Sequence, residues 1–229
     1  MDYLQAINNK VTAKVNDIKF EEDLSRYDFS VMNRKPKFVT IDWKNILPEP
    51  PLNNSDTTKK ELQFLEKLTS DISKKQLDLI MLVDDDPINV FLPILQDRGL
   101  PFPKRLYNKC VYQLDPIILK LKTKYGRPRP FQLAGVHNRV IKVVNTSTHQ
   151  TPAYPSGHTS QAGMCAALLS WIYPDLSSKF YGAVETVGMA RMLQGVHYPS
   201  DNDAAMLLSA AIWEDIKYKL NIPHDYNGK

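Results

Sequence analysis

Cysteine is nearly absent: Cys110 and Cys165 are the only two in 229 residues, and they lie far apart in sequence. So few exclude a disulfide framework, and a cysteine-based metal site needs more ligands. Cys165 falls in an apolar, helix-like run, which predicts a buried thiol. Long apolar runs are missing as well. The most apolar stretches, 77–83 and 204–213, fall short of the ~20 residues that a membrane crossing needs, so no integral membrane segment is expected. The chain opens Met1-Asp2-Tyr3-Leu4-Gln5-Ala6 and continues through Asn, Lys and Val. No apolar core follows, so no signal peptide is expected, and the expected location is cytoplasmic or virion-associated. One-signed charge is scarce too. A net charge of +4, with no stacking or zinc-knuckle motif beside it, argues against a nucleic-acid partner and suits a small anionic substrate.

Hydrophobic residues make up 43% and charged residues 24%, ordinary values for a globular protein. The length allows one domain with an extension. Residues 1–45 are polar and mixed, with a basic piece at 34–37, and read as an N-terminal extension; 46–229 read as the main domain. The boundary is Ile46-Leu47-Pro48-Glu49-Pro50-Pro51, which its prolines force into an extended form. Beyond it, apolar residues recur near the helical period over 59–82, 106–124, 158–171, 180–193 and 200–220. A piece at 88–95 is expected to kink or break at Pro93, and Ser200 is the expected N-cap of the last helix. Only 140–144 reads as a strand. The fold class is therefore all-α, helices around one core.

Three segments carry chemistry. The first runs Lys122-Thr123-Lys124-Tyr125-Gly126-Arg127-Pro128-Arg129-Pro130-Phe131. A cationic cluster is usually a solvated face, yet Pro128 and Pro130 fix the backbone around Arg129, as phosphate recognition by a guanidinium fork and an ammonium requires. The second is Tyr154-Pro155-Ser156-Gly157-His158-Thr159. It reads either as a plain turn before a helix or as an anion nest, in which the Ser156 hydroxyl, the Gly157 amide and a helix start face an oxyanion. The third runs from Ala190-Arg191 to Gly195-Val196-His197-Tyr198-Pro199-Ser200-Asp201. His197 with Asp201 four residues on reads either as a surface pair or as an imidazole whose Nδ1 proton is held by a carboxylate.

Taken together and in this order, Lys-x6-Arg-Pro, Pro-Ser-Gly-His and Arg-x5-His-x3-Asp resemble the type 2 phosphatidic acid phosphatase superfamily. That group includes bacterial class A acid phosphatases, lipid phosphatases and vanadium haloperoxidases. Arg127-x-Arg129-Pro130-Phe131, the Tyr154–Thr159 segment, Gly195–Ala205 and Leu47-Pro48-Glu49-Pro50-Pro51 are similar to the class A acid phosphatases, a likeness spanning about 46–217. Ala190 stands where the family usually has Ser. Two registers fit the first motif, Lys120 with Arg127 and Lys122 with Arg129; the second places Phe131 as in the family.

The resemblance implies a single-domain helical bundle of the acid phosphatase/vanadium haloperoxidase type, with 46–229 as the phosphatase domain. It implies metal-independent hydrolysis of phosphate monoesters, and of diphosphates, without a cofactor. His197 would form the phosphohistidine, Asp201 would orient it, and His158 would be the general acid/base. Lys122, Arg129, Ser156, Gly157 and Arg191 would bind the phosphate, and no residue is assigned to a metal. A homo-oligomer is compatible with all of this. Two alternatives stay open: a vanadium-dependent haloperoxidase using the same cradle, and a non-catalytic virion or structural protein that keeps the fold.

Overall fold

The computed structural model describes residues 3–21, 25–146, 148–224 and 226. Parts of the extension (1–2, 22–24) and of the main domain (147, 225, 227–229) lie outside the described residues. Among the described residues all regular structure is helical, and 140–144, expected as a strand, is irregular.

The fold is organised around helix composition. Helices α1 (Tyr3–Asn16) and α2 (Arg26–Met32) precede the boundary. Helices α3 (Asp56–Thr69) and α4 (Lys74–Asp85) follow it, then the short α5 (Leu92–Gln96) and the long α6 (Lys104–Tyr125). After α7 (Pro130–Ala134) come α8 (Gly157–Ile172), α9 (Ser177–Leu193) and α10 (Pro199–Ile216). α8 has no polar face: Ala162, Met164, Cys165, Ala166, Leu168 and Leu169 are all fully buried, which marks a central helix rather than an amphipathic one. It packs against α6, α9 and α10. Small residues let α10 come close. A Cβ at Gly163 would stand 2.3 Å from Ser209 Oγ, so a side chain there would push the two helices apart.

Several local expectations change. The 59–82 helix is two helices, because Ser70 ends α3 and Ser73 caps α4 in a reciprocal box with Gln76, a stronger local signal than the apolar period. The 88–95 piece breaks rather than kinks: a 3-10 turn ends at Val90, and Pro93 sits in the first turn of α5, where its missing N–H is harmless. Pro116 lies inside α6 instead. Ser200 is not the cap of α10: Tyr198 holds that position, and Asp201 Oδ2 accepts the Tyr198 N–H at 2.9 Å. The extension is not detached. Its α2 packs on α6, and Asn53 Nδ2 ties the end of α1 by donating to Val15 O and Ile18 O at 2.9 and 2.8 Å. Both cysteines are buried free thiols. No helix among the described residues is long and apolar enough to cross a membrane.

Candidate active site

The first motif begins on the last turns of α6. Gly126 ends that helix in the left-handed region, φ 57°, and Pro128 and Pro130 then hold the chain extended as far as α7. The second motif is the entry to α8. The third begins on the last turn of α9, where Ala190 and Arg191 lie, and continues through an exit turn that needs Gly195: its φ is +81°, and a Cβ there would stand 2.7 Å from Lys142 O. Main-chain hydrogen bonds join the three segments. Ala153 N donates to Arg127 O at 2.9 Å and Ser156 N to Asp201 O at 3.0 Å.

His197 lies at the junction, buried to 1% exposure. Its Nδ1 is 3.0 Å from Asp201 Oδ2, while Arg129 Nη1 is 2.8 Å from its Nε2. Arginine has no acceptor, so Nε2 carries the lone pair and Nδ1 carries the proton donated to Asp201. The ring thus presents a nucleophilic nitrogen on the side of Arg129. Asp201 Oδ1 accepts from Arg127 Nη1 at 2.6 Å.

A cavity of about 440 Å³ opens on that side. Of the eight residues singled out in the sequence, Lys122, Arg129, Gly157, His158 and His197 line it. Lys122 is buried and donates to Pro152 O. Arg129 is held by Thr151 O and Val196 O, both at 2.8 Å. A Cβ at Gly157 would meet Lys122 Cε at 3.8 Å and Ile118 Cγ2 at 4.0 Å, ordinary contacts that would narrow this end. The other three stand behind the wall. Asp201 backs His197. Ser156 Oγ donates to Thr159 Oγ1 at 2.9 Å. Arg191 donates to Asp84 Oδ1 at 2.7 Å and to Thr148 Oγ1 at 3.0 Å, with its buried Nε left without a partner among the described residues. Ala190, in the position where serine was expected, is fully buried.

Sequence reasoning missed two carboxylates that organise the site. Asp84, on α4, holds Arg191 and accepts from Thr146 Oγ1 at 2.8 Å and from Thr148. Glu61, on α3, accepts from Arg127 Nη2 at 3.0 Å and from Ser200 N at 2.7 Å. Neither sits in a recognisable pattern, and nothing local could have flagged them. The first-motif register falls on Lys122 and Arg129. Lys120 points away, donating to Arg34 O at 3.4 Å, and Arg127 lies under His197 with its guanidinium 3.9 Å from the Tyr198 ring.

Burial and then the charges of Arg129, Lys122 and Arg191 hold the His197 imidazole well below its ordinary pKa. Burial, then Arg191, pushes His158 down to about 3, against the Asp84 carboxylate and a hydrogen bond with the Asp84 main chain. Burial and the neighbouring Arg129 lower Lys122. Asp84 is lowered because hydrogen bonds from Thr148 and Arg191 outweigh its burial. Burial and the neighbouring cations thus favour the neutral imidazole at both His158 and His197.

The sequence comparison points the same way as the geometry: residues 110–216 match the PAP2 superfamily model. All eight candidate residues lie inside that span; Glu61 and Asp84 lie before it. Among curated proteins, the chain is 35% identical over 118 residues to a non-specific acid phosphatase of Providencia stuartii, covering 52% of this chain and 47% of that one. It is 30% identical over 89 residues to a non-specific acid phosphatase of Salmonella typhi, covering 39% and 35%. The chain thus spans about half or less of the length of these relatives. Among solved structures, a bacterial vanadium-dependent iodoperoxidase superposes with a TM-score of 0.66 at 15% identity, covering 94% of this chain and 65% of that one, a likeness of fold.

Proposed function

We propose that this protein hydrolyses phosphate monoesters, and diphosphates, through a phosphohistidine on His197, without a metal. The observation that carries this reading is the fixed tautomer of His197. Nδ1 is committed to Asp201, and Nε2 faces a cavity lined by Lys122, Arg129 and His158. The phosphoryl oxygens displace Nε2 as the acceptor of Arg129 and release its lone pair. Nε2 attacks phosphorus, the P–O bond to the alcohol breaks, and His158 gives its proton to the leaving oxygen. Water then attacks the phosphohistidine, His158 takes its proton, and inorganic phosphate leaves. Asp201 steadies the positive charge that the ring gains. Lys122, Arg129 and the Gly157 amide, which line the cavity, meet the charge spread over the equatorial oxygens, while Arg191 and Ser156 support that wall from behind.

The low pKa of His158 has a consequence for the acid step. At about 3, the imidazole is neutral at neutral pH. A dianionic phosphoryl group beside it favours the charged form, so the substrate itself protonates the acid that it needs. Turnover therefore favours the acid side and falls as pH rises through the pKa of His158 in the complex.

The test is phosphate release from a panel of monoesters and diphosphates in EDTA, with vanadate as inhibitor. Activity should survive chelation, and His197→Ala should abolish it, with an acid-labile phosphoryl group trapped on His197 in the wild type. Activity that vanishes in EDTA and returns with a divalent metal, or a label on another residue, would falsify the mechanism. Halide oxidation with vanadate and peroxide, in the absence of phosphate release, would transfer the cradle to the haloperoxidase reading.

A further inference from the structure

The cavity has a second end whose chemistry is opposite to the first. Helix α6 lays Asp115, Ile118, Leu119 and Lys122 along its wall, positions i, i+3, i+4 and i+7 of one helical face. At 1.5 Å of rise per residue, Asp115 stands ~10 Å along the helix from Lys122. The wall therefore runs from an ammonium, across two aliphatic side chains, to a carboxylate. Gln161, on α8 three residues beyond His158, donates Nε2 to Asp115 Oδ1 at 3.0 Å. Oδ2 of Asp115 accepts no hydrogen bond from a described residue, and Asp115 has no salt-bridge partner among them. Burial outweighs the Gln161 hydrogen bond and the charge of Arg34 and pushes its carboxyl up to about 6. Asp28, on α2, brings a second carboxylate to the same cavity. The cations that line the cavity, Lys122 and Arg129, are both at the phosphate end.

A partly buried carboxylate with a spare oxygen is costly unless something arrives to pair with it. Here it borders the space that remains once a phosphoryl group occupies the cationic end, so what arrives is the organic part of the substrate. We infer that Asp115, positioned by Gln161, selects the leaving group: the site takes phosphate esters whose alcohol carries an ammonium or similar N–H donor ~10 Å from phosphorus, across an aliphatic spacer. An ester with a second anion there would meet Asp115 and Asp28 and be rejected. The inference rests on the phosphate-binding reading of the cationic end, and it concerns binding, so it can be tested apart from turnover.

The probes are non-hydrolysable: hexyl phosphonate, aminohexyl phosphonate and the matching carboxyalkyl phosphonate, titrated calorimetrically into the full chain at pH 7.5. In the wild type the amine should bind about tenfold tighter than the neutral chain, the scale of one partly buried charge pair, and the carboxylate more weakly than either. Asp115→Asn should bring the amine-to-neutral ratio close to one. Because the readout is a ratio within each protein, a general loss of affinity does not imitate the effect. If Asp115→Asn does not fold, the wild-type ratio alone still decides. Equal binding of amine and neutral chain by the wild type overturns the inference, as does a preference that survives in Asp115→Asn. Nitrophenyl phosphate turnover on the same preparation reports separately on the phosphatase reading: no turnover with amine-selective binding would sink that reading and leave the inference standing.

Discussion

Arg127 and Arg129 are two residues apart in sequence and lie on opposite sides of His197. Arg129 is in front, lining the cavity and donating to Nε2 at 2.8 Å. Arg127 is behind, closing a carboxylate pair with Glu61 at 3.0 Å and Asp201 at 2.6 Å. The difference lies in what each guanidinium is paired with. Arg127 has its counter-charges built in, so it belongs to the folded framework. Arg129 donates to the carbonyls of Thr151 and Val196, lies against the His197 imidazole and lines the cavity. The same residue type is built into the buried framework on one side of a ring and faces a cavity on the other.

The sharpest way to break this contrast is to remove each arginine in turn. Arg127→Ala leaves Glu61 and Asp201 buried and uncompensated, and should lower unfolding free energy by about 3–5 kcal/mol, measured by denaturant titration. Activity should fall with it, because Asp201 no longer holds the ring in place. Arg129→Ala should lower kcat/KM by about 2–4 kcal/mol in transition-state terms, on the order of a hundredfold or more, while the denaturation midpoint stays near wild type. The opposite pattern, a stable Arg127→Ala and an unfolded Arg129→Ala, would reverse the assignment of front and back.

A smaller effect follows from the imidazoles. His158 has a folded pKa of about 3 against ~6.5 unfolded. Between these values the unfolded chain binds the proton and the folded chain does not, so stability is full above ~6.5 and declines as pH falls. Over the interval from pH 6.5 to 5, His158 contributes a loss of about 2 kcal/mol. His197, also lowered, acts in the same direction, whereas Asp115, raised to about 6, acts in the opposite one. The unfolding free energy should thus be lower at pH 5 than at pH 7, His158→Ala should flatten the slope, and phosphate should restore stability at the acid end. A slope that His158→Ala leaves unaltered would remove His158 from this account.

The smallest expected effect concerns the other half of the register. Lys120 reaches the Arg34 carbonyl and the Trp43 ring, away from the cavity, so Lys120→Ala should change kcat/KM by less than ~1 kcal/mol. Lys122→Ala should approach Arg129→Ala in severity. A Lys120 variant more damaged than a Lys122 variant, with both folded, would move the motif by two residues.

Much of the cradle was legible in the sequence because its residues cluster in three short segments, where spacing restricts how side chains can meet. Lys122, Arg129, His158 and His197 were all found that way. Glu61 and Asp84 were not, since each reaches the site across a long stretch of chain from an otherwise ordinary helix. The bundle itself was legible from the apolar period. Its punctuation was less so: Ser73 starts a helix in a stretch where the period suggested continuation. The role of α2 was hidden for another reason. Its seven residues are too few for a pattern, and only the packing against α6 brings Tyr27 and Asp28 to the cavity.

The hydrogen bonds from Ala153 to Arg127 and from Ser156 to Asp201 use only main-chain atoms. Short of a proline at either donor, substitution does not delete them, so the three segments stay stitched together whatever other side chains they display. A lineage carrying this fold can thus exchange the side chains around the cavity one at a time and keep the backbone that shapes it. The same property makes a silenced His197 variant a suitable vessel for capturing an intact ester, since the walls that would hold the ester do not depend on the residue that would consume it.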